Sequence, residues 1–517
     1  MNTDERGIVY LAGAGPGDPG LITLRAHQLL QACDVVVYDS LIPDELIVTL
    51  PPTVERHYVG KRGGCASIGQ NEINKLLVKL ARAGKIVVRL KGSDPLIFGR
   101  GGEEAEFLAE NKIRFEIVPG VTAGVGATAY AGIPTTDRRC ASWVLFATGH
   151  MAKDKQVSSV PWDWIAGGTK GTIVIYMGVA EVEPIVAELM TSGLSDSVPA
   201  AVIERGTFPS QRVFVSTLAE LVTTVRANKV TAPALLVIGE AVKLRENLNW
   251  FRDKSLFGLR VMVTRPAHQA DWVYRQLREL GAEVLAFPTI AVKEHTDEKA
   301  WTNFKNIQTE KSWLVFTSEN GVEFFFSQFR VHGYDIRKLG AFKIAVIGTG
   351  TKRALKKYGI TPDFIPAVAT TAAFSEELEK IETLRGATVV RVRGNLSVDN
   401  IDQAIISVGA ELIPMTVYET HHVGWAEERK AKLAEFPPDV VIFTSGSTAD
   451  GLMKCLDPDK IKDIIAPAAI VSIGPATSKV IRSHGFDITL EATKHSIPDL
   501  IDQLVVFASS HSLRRSK

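Results

Sequence analysis

Charged residues and glycines are concentrated in one stretch of the first half of the chain, RLKGSDPLIFGRGGEE at positions 89–104. The apolar residues up to Leu90 indicate the end of a buried strand, and Glu103 and Glu104 indicate the first turn of a helix. The stretch therefore presents Arg100 and paired carboxylates at the carboxyl end of a strand, where open α/β sheets bind ligands. The alternative is a tight turn between strand and helix, in which the glycines serve only to allow backbone conformations that other residues rarely adopt.

Two further loops follow apolar runs in the same way. GAGPGDPG at 13–20 lies between a predicted strand and a helix predicted from about Leu21 to Cys33. Its spacing departs from the G-x-G-x-x-G fingerprint and its prolines stiffen it, so alone it is a weak sign of a nucleotide site. VVVYD at 35–39 ends in Asp39, and a carboxylate at a strand end is most often a turn former or helix cap.

Together these motifs resemble the uroporphyrinogen-III C-methyltransferases, a branch of the tetrapyrrole methylases. RLKGSDPLIFGRGGEE is similar to their RLKGGDP and FGRGGEE signature, and GAGPGDPG, VVYD and VGKR recur in order over roughly residues 7–250. The resemblance implies S-adenosylmethionine as methyl donor, held in a cleft between two α/β domains. It implies uroporphyrinogen III, a macrocycle with eight carboxylates, as substrate, for which arginine is a suitable partner.

The resemblance also implies roles for individual residues. Asp39 and Lys61 match the proposed proton acceptor and donor, while Arg100 and Glu103 match residues that orient the macrocycle, with Arg138 a further candidate for its carboxylates. Which side chain is the base stays open. The implied donor contacts are Pro16, Gly92, Ser93, Asp94, Ile97, Thr122, Ala123, Met177 and Gly206. Without the resemblance, Met177 is core filler and the small residues after position 119 indicate close helix packing.

Three positions depart from the family pattern. Ser93 replaces a second glycine, which predicts a slightly narrower donor pocket. Leu96 stands where phenylalanine is common. Asp137 stands where histidine is typical, which predicts partial neutralisation of an arginine meant for substrate.

The remaining pattern of the first half predicts its scaffold. Apolar residues recur with helical spacing from Ser67 to Ala83, and Ser67 and Gln70 are spaced as a capping box. Alternating strands and helices predict one subdomain over about 7–135 with a largely parallel sheet, and a second over about 140–245.

Past residue 250 the chain nearly repeats itself. VFTSEN from Val315 answers IFTSGS from Ile442, and IAVIG from Ile344 answers IVSIG from Ile470, at offsets of 127 and 126 positions. Phe287-Pro288 answers Ile413-Pro414 in the same way. The repeat predicts two similar α/β domains with Pro288 and Pro414 in paired connectors.

This half resembles uroporphyrinogen-III synthase over roughly residues 256–507, with individually modest motifs. The resemblance implies domain one at 258–290 plus 420–507, domain two at 291–419, a linker at 251–257 and a polar tail at 508–517. Tyr418 matches the tyrosine most often tied to synthase function; a buried aromatic with a satisfied hydroxyl is the alternative. Candidate substrate contacts are Thr317, Ser318, Thr444, Ser445 and Thr477. Ser and Thr after a strand are more often helix caps than ligands, but both roles can hold at once because a helix amino terminus is itself an anion site.

Composition limits the classes of partner. The 517 residues carry a formal net charge of +1 with 23% charged residues, which argues against a general nucleic-acid or membrane-surface binder. Four well-separated cysteines fit a reducing compartment and predict no structural metal site. The amino terminus lacks a signal-peptide pattern. We therefore expect a cytoplasmic enzyme, and the resemblance implies a homodimer through the methyltransferase half.

The sequence thus predicts an α/β chain with a two-domain tetrapyrrole methylase fold, followed by a two-domain synthase fold with paired interdomain connectors. Since the product of the second half is the substrate of the first, we expect an enzyme that converts hydroxymethylbilane to uroporphyrinogen III and methylates it twice to precorrin-2. One alternative makes the second half a non-catalytic tetrapyrrole-binding module. Another, a methylase acting later on a corrinoid ring, is disfavoured by the FGRGGEE and VGKR motifs.

Overall fold

A computed structural model of the chain describes residues 7–60, 68–149, 162, 170–307, 311–368, 370–396 and 400–510. The chain divides into two compact units, one of Met1–Pro288 with Gly424–Lys517 and one of Thr289–Val423. No helix among the described residues is long and apolar enough to span a membrane.

The first sheet is parallel, with strand order β3-β2-β4-β1-β5. Its central strands β1, β2 and β4 are mostly apolar, as is usual for parallel strands that are covered on both faces. Its elements are β1 Ile8–Gly13, α1 Leu24–Ala32, β2 Val35–Tyr38, α2 Asp44–Val48, β3 Glu55–Tyr58, α3 Gln70–Arg82, β4 Ile86–Lys91, α4 Gly101–Glu110, β5 Arg114–Val118 and α5 Ala123–Tyr130.

The second sheet is mixed, with order β6-β7-β10-β8-β9, and only its β6–β7 pair is parallel among the described strands. Its edge strand β9 has three apolar residues between polar ends, and it was not predicted from the sequence. The elements are β6 Trp143–Thr148, β7 Gly171–Tyr176, α6 Val182–Thr191, β8 Pro199–Glu204, β9 Arg212–Thr217, α7 Leu221–Ala227, β10 Ala234–Ile238 and α8 Arg245–Leu248.

Three elements, β11 Arg260–Val263, α9 Ala267–Glu279 and β12 Glu283–Ala286, precede the unit Thr289–Val423. That unit has one sheet, ordered β13-β17-β16-β14-β15 in its described part, over an aromatic core that includes Trp301, Phe304 and Phe325. Its elements are β13 Ile290–Glu294, α10 Glu298–Lys305, β14 Ser312–Phe316, α11 Glu319–Val331, β15 Phe342–Val346, α12 Thr349–Lys356, α13 Thr371–Leu378, β16 Thr388–Gly394, α14 Asn400–Ser407 and β17 Glu411–His422.

The chain then returns to the first unit and completes a parallel sheet of order β12-β11-β18-β19-β20. Strand β11 therefore lies between an element that precedes the other unit and one that follows it. The returning elements are α15 Glu427–Glu435, β18 Val440–Phe443, α16 Gly446–Cys455, α17 Pro458–Ile464, β19 Ala469–Ser472, α18 Pro475–Ser483, β20 Leu490–Glu491 and α19 Ile497–Ser510.

Two local predictions are wrong. Helix α3 begins at Gln70 with Gly69 as its N-cap and no side-chain cap, so there is no capping box; Ser67 lies outside the described residues. Pro414 lies within β17 opposite Arg391, not in a connector. The entering and leaving chains instead pair as antiparallel β13 and β17, and the Val423 amide donates to the Thr289 carbonyl at 3.0 Å.

Helix α1 begins three residues later than predicted. The Thr23 side chain accepts a hydrogen bond from the Ala26 amide at 3.2 Å and so sets its first turn. The compact unit spans residues 289–423, and the domain predicted from the sequence spans residues 291–419.

Candidate functional site

Three loops of the first sheet meet backbone to backbone at the carboxyl ends of β1, β4 and β5. A β-carbon on Gly13 would lie 2.6 Å from the Gly120 Cα and from the Ser93 carbonyl oxygen. The Ser93 amide donates to the Gly15 carbonyl at 2.7 Å. Because no side chain fits between these backbones, glycine is required at positions 13 and 120. The three loops therefore form one continuous edge.

Ser93 holds the first turn of α5 in this edge. Its backbone has a φ of 66°, which favours glycine, and its Oγ accepts a hydrogen bond from the Ala123 amide at 2.6 Å. Compared with glycine at this position, the serine therefore adds a hydrogen bond to the first turn of α5, and the narrower donor pocket stays a prediction. Thr122 is the N-cap residue, and its Oγ1 lies 2.6 Å from the Tyr176 hydroxyl.

Tyr176 connects the second sheet to the same helix end. Its hydroxyl accepts a hydrogen bond from the Gly124 amide at 2.6 Å, and burial raises its pKa. The next residue, Met177, has a φ of 54° and is 52% exposed, so it is not core filler. A β-carbon on Gly206 would clash with Ala127 of α5, so this turn also packs on the helix.

The other residues expected to contact the donor surround this helix end. A β-carbon on Gly126 would lie 2.6 Å from Pro16 Cγ, which places the proline against α5. Asp94 accepts hydrogen bonds from the amides of Leu96, Ile97 and Gly120 at 2.8, 3.1 and 2.9 Å, so its carboxylate orders the loop. The structure brings together all nine predicted donor-contact residues.

Asp39 lies on the neighbouring loop. Its Oδ2 accepts a hydrogen bond from Arg89 Nη2 at 3.3 Å, and its Oδ1 accepts one from the Leu41 amide at 3.1 Å. A β-carbon on Gly92 would lie 2.8 Å from the Leu41 Cβ, which brings the two loops into contact. Lys61, its predicted partner, lies outside the described residues.

A buried charge cluster lies behind Asp39, and it was not predicted. Glu104 Oε1 accepts hydrogen bonds from Lys91 Nζ at 2.8 Å, from Gln70 Nε2 at 2.9 Å and from Arg89 Nε at 3.4 Å. Arg89 bridges this carboxylate to Asp39, and burial lowers the pKa of Lys91. The available signal was two cations at alternate positions in an otherwise apolar strand.

Arg100 and Glu103 form an exposed pair at the start of α4. Arg100 Nε and Nη2 donate to the two Glu103 oxygens at 2.9 and 2.6 Å, and this hydrogen bonding lowers the pKa of Glu103. Arg100 has a φ of 60° and caps no amide through its side chain. The two adjacent glutamates thus differ in burial: Glu104 is buried, whereas Glu103 is exposed to solvent and paired with the Arg100 guanidinium.

Arg138 is exposed on the segment between the two sheets. Asp137 pairs with Arg139 at 3.0 Å, so the predicted neutralisation falls on Arg139. That contact lowers the pKa of Asp137 to about 2.

In the unit 289–423, the structure brings Ser318 and Tyr418 together. The Ser318 Oγ lies 3.1 Å from the Tyr418 hydroxyl and also accepts a hydrogen bond from the Gly321 amide at 2.9 Å, capping α11. Burial raises the pKa of Tyr418, and a β-carbon on Gly394 would clash with its ring. Thr317 directly follows the preceding strand, which ends at Phe316, and it is half-buried.

The equivalent residues of the repeat lie in the other unit. Ser445 caps α16 by accepting a hydrogen bond from the Thr448 amide at 3.4 Å, and Thr444 precedes it. Thr477 is buried in the first turn of α18. Ser318 and Ser445 are therefore helix caps, which confirms that part of the prediction, and their contact with substrate stays a prediction.

Two family models match the chain. The model of the tetrapyrrole (corrin/porphyrin) methylases matches residues 8–222, and that of uroporphyrinogen-III synthase HemD matches residues 273–502. The porphyrin biosynthesis protein HemD of Ruminiclostridium josui is 35% identical over 507 residues, covering 97% of this chain and 98% of that protein. The chain belongs to the family of tetrapyrrole methylases fused to uroporphyrinogen-III synthase.

This methylase–synthase family resemblance and the α/β fold of both halves were predicted from sequence and are confirmed. Membership assigns the chain to tetrapyrrole biosynthesis, with a methyltransferase domain and a synthase domain, and supports use of S-adenosylmethionine.

Other relatives of this methylase–synthase chain match one half. The siroheme synthase of Pseudomonas putida (strain W619) is 51% identical over 247 residues, which is 48% of this chain and 53% of that protein. The chain thus spans about half the length of such siroheme synthases.

Among solved structures, the uroporphyrin-III C-methyltransferase of Thermus thermophilus with S-adenosyl homocysteine has 37% identity and a TM-score of 0.39, covering 46% of this chain and 100% of its own. A uroporphyrinogen III synthase from the same organism has 16% identity and a TM-score of 0.37, covering 49% and 100%.

Proposed function

We propose that the first half transfers two methyl groups from S-adenosylmethionine to C2 and C7 of uroporphyrinogen III, giving precorrin-2. We propose further that the second half makes uroporphyrinogen III from hydroxymethylbilane with inversion of the last ring. The observation that carries the first proposal is the convergence of the loops after β1, β4, β5 and β7 on the first turn of α5, with Asp39 on the adjacent loop.

The surface around these loops suits the donor. Leu41, Leu96, Phe98 and Met177 are large apolar side chains that are 51, 53, 39 and 52% exposed, and all lie on this edge of the first half. Exposed apolar side chains gathered at one place mark a binding site. S-adenosylmethionine offers an apolar, flat purine to such a surface and, when bound, supplies an electrophilic methyl group.

The chain's own residues would position the macrocycle and accept its proton. Arg100 can bind a carboxylate through two parallel hydrogen bonds, the geometry that it already has with Glu103. Methyl transfer breaks the donor's carbon–sulfur bond, forms a carbon–carbon bond and leaves the macrocycle with a proton to lose. Asp39 is the proposed acceptor of that proton because it is an acid at the loop beside Gly92, ordered by Arg89. Lys61 stays the proposed donor.

For the synthase half, the support is narrower. Tyr418 and Ser318 form one hydroxyl pair, and helix ends capped by Ser318 and Ser445 are suitable anion sites for substrate carboxylates. Ring closure requires loss of the hydroxyl of hydroxymethylbilane as water and formation of a carbon–carbon bond. A site that only holds the polyanion in shape would need few catalytic groups, so Thr317, Thr444 and Thr477 are proposed as contacts.

One anaerobic incubation tests both activities. Purified protein is mixed with hydroxymethylbilane and S-adenosylmethionine, and products are followed by mass and absorption. A doubly methylated tetrapyrrole that requires the donor supports both proposals. An unmethylated type-I ring would mean spontaneous closure and would favour the alternative, in which the second half only binds tetrapyrroles.

The proposal of a homodimer through the methyltransferase half rests on the family resemblance, and that of a cytoplasmic location rests on the four well-separated cysteines. Sedimentation of the purified chain tests the first, since a monomer at micromolar concentration would contradict it.

A further inference from the structure

One side chain of the second half, Arg278 on α9, contacts two separate loops of the first half. Its Nη2 lies 3.1 Å from Glu45 Oε1, and its Nη1 lies 3.7 Å from Asp18 Oδ1. A β-carbon on Gly20 would lie 3.7 Å from the same Nη1. All these residues belong to the unit that contains Met1–Pro288, and the arginine side chain is mostly buried.

Asp18 is where three parts of the proposed donor site are joined. It follows Pro16 by two positions, and its Oδ2 accepts a hydrogen bond from the Tyr130 hydroxyl at 2.7 Å, at the end of α5. Its backbone amide donates to Thr207 Oγ1 at 3.0 Å, one residue after Gly206. A shift of Asp18 would therefore move the Gly13–Gly20 loop relative to α5 and to the Gly206 turn.

Glu45 belongs to the loop and helix that follow Asp39. It lies in the first turn of α2 and is buried. Three residues later, Val48 packs against the apolar core around Leu256 and Leu277 in the second half. Asp44 contacts Lys432 at 3.0 Å. Helix α2 is therefore held on the second half of the chain, and the Asp39 loop leads directly into it.

The space beside Arg278 is not filled by packing. A cavity of about 150 Å³ is bordered by both loops, with Gly17 and Pro19 on one side and Leu41 and Pro43 on the other. At this cavity the polar bridge through Arg278 links the two loops, in addition to the contacts that the loop after β4 makes with each of them. Two other contacts between the halves, Lys432 with Asp44 and Arg205 with Glu283, each reach a single carboxylate.

We propose that Arg278 is a positioning residue for methyl transfer. Through it, the synthase half sets the spacing between the Gly13–Gly20 loop and the Asp39 loop. The inference rests on the proposed methyltransferase function. It does not place Arg278 in contact with donor or macrocycle. It predicts that the second half contributes to donor affinity, whether or not the synthase reaction takes place.

The test compares full-length variants by calorimetric titration with S-adenosylhomocysteine. Arg278→Met removes the charge at similar length, and Arg278→Lys keeps it. Arg275→Met is the matched control, because Arg275 lies on the same helix and forms an exposed ion pair with Asp271, at 2.7 Å, one turn away. We expect Arg278→Met to weaken binding about tenfold at unchanged stoichiometry, the usual size of coupling between sites. Arg278→Lys should recover part of the loss.

The remaining outcomes are decisive. A merely structural role would lower the fraction of competent sites and leave the dissociation constant of those that bind unchanged, which would overturn the inference. If Arg278→Met does not fold, Glu45→Gln removes one partner at constant shape, and wild-type affinity in that variant would also overturn it. If the wild-type chain does not bind S-adenosylhomocysteine, the proposed methyltransferase function itself fails.

Discussion

Lys91 Nζ lies 2.8 Å from Glu104 Oε1, and neither side chain is more than 6% exposed. The contact joins β4, which leads into the loop that contains Gly92 and Ser93, to helix α4, whose N-cap residue is Arg100. Since the same oxygen also accepts from Arg89, which reaches Asp39, one buried carboxylate orders the two loops of the proposed methyl-transfer site.

Glu104→Gln should destabilise the first unit strongly. It leaves Arg89 and Lys91 buried with one carboxylate fewer, and breaking a buried ion pair costs about 3 to 5 kcal/mol. Urea unfolding followed by circular dichroism measures the change. Glu106→Gln, on the exposed face of the same helix, is the control; equal midpoints for the two variants would contradict the structural role of Glu104.

Arg100→Ala should raise the KM for uroporphyrinogen III by about tenfold to a hundredfold, since a lost charged hydrogen bond costs about 1.5 to 3 kcal/mol. Steady-state kinetics measure it. Arg139→Ala is a close match, because Arg139 is also exposed and also donates Nε and Nη2 to one carboxylate, that of Asp137. Unchanged KM and turnover in Arg100→Ala would remove Arg100 from the substrate site.

Tyr418→Phe should abolish most formation of the type-III isomer while changing stability by only about 1 kcal/mol, the usual worth of one hydrogen bond. The isomer ratio is read by chromatography of the oxidised porphyrins. Tyr334→Phe, in the same unit, controls for loss of a hydroxyl. A normal type-III yield in Tyr418→Phe would leave the tyrosine as a packing residue only.

Ser93→Gly and Ser93→Ala should differ in stability. Both lose the hydrogen bond from the Ala123 amide, but glycine also relieves the positive φ, whose strain is about 1 kcal/mol or more. We expect Ser93→Gly to melt near the wild type and Ser93→Ala to melt several degrees lower. The reverse order in a thermal scan would mean that the left-handed backbone at this position is not costly.

Glu45 should make stability depend on pH. Burial raises its pKa to about 7, against an ordinary value of 4.5, with Asp18 and Asp271 raising it further and Arg278 opposing. A pKa raised by folding stabilises the folded state fully below pH 4.5, and this contribution is lost as pH rises through about 7.

Burial raises the pKa of the Tyr274 hydroxyl on α9, and the Glu45 carboxylate raises it further. Glu45→Gln does not titrate, so its melting temperature should rise relative to wild type between about pH 5 and 8. Melting of both proteins across that range measures the difference. The exposed Glu72→Gln serves as control, and a pH-independent difference for Glu45→Gln would contradict burial of an ionisable carboxyl.

The inner strands of the parallel sheets were predicted from the sequence, because strands covered on both faces are mostly apolar runs. The outer strands β3, β12 and β20 were not predicted, because they are short or polar. Strand β9 was missed because it is an edge strand with a short apolar run between polar ends. The donor loops were found through their motifs. Arg89, Lys91 and Glu104 were not, because whether a charge in a strand is buried depends on a partner from α4 and α3 that no local pattern shows.

The start of α3 was mispredicted for a related reason. Gln70 has the spacing of a capping residue, but its side chain is committed to Glu104, thirty-four positions away. Pro414 was misplaced because the repeat aligns it with Pro288, whereas the chain crosses between units through the pairing of β13 with β17.

Because β11 pairs with both β12 and β18, the sheet that contains it is finished only when residues beyond 424 have left the ribosome. At about 5 to 20 residues per second, the intervening segment Thr289–Val423 takes roughly 7 to 27 seconds to synthesise. During that interval the apolar edge of β11 has no partner strand from β18. The methyltransferase half can fold first, and its helix α2 is then available to pack against α9. The order of synthesis therefore favours a nascent chain in which the folded methyltransferase half covers part of the unfinished synthase half.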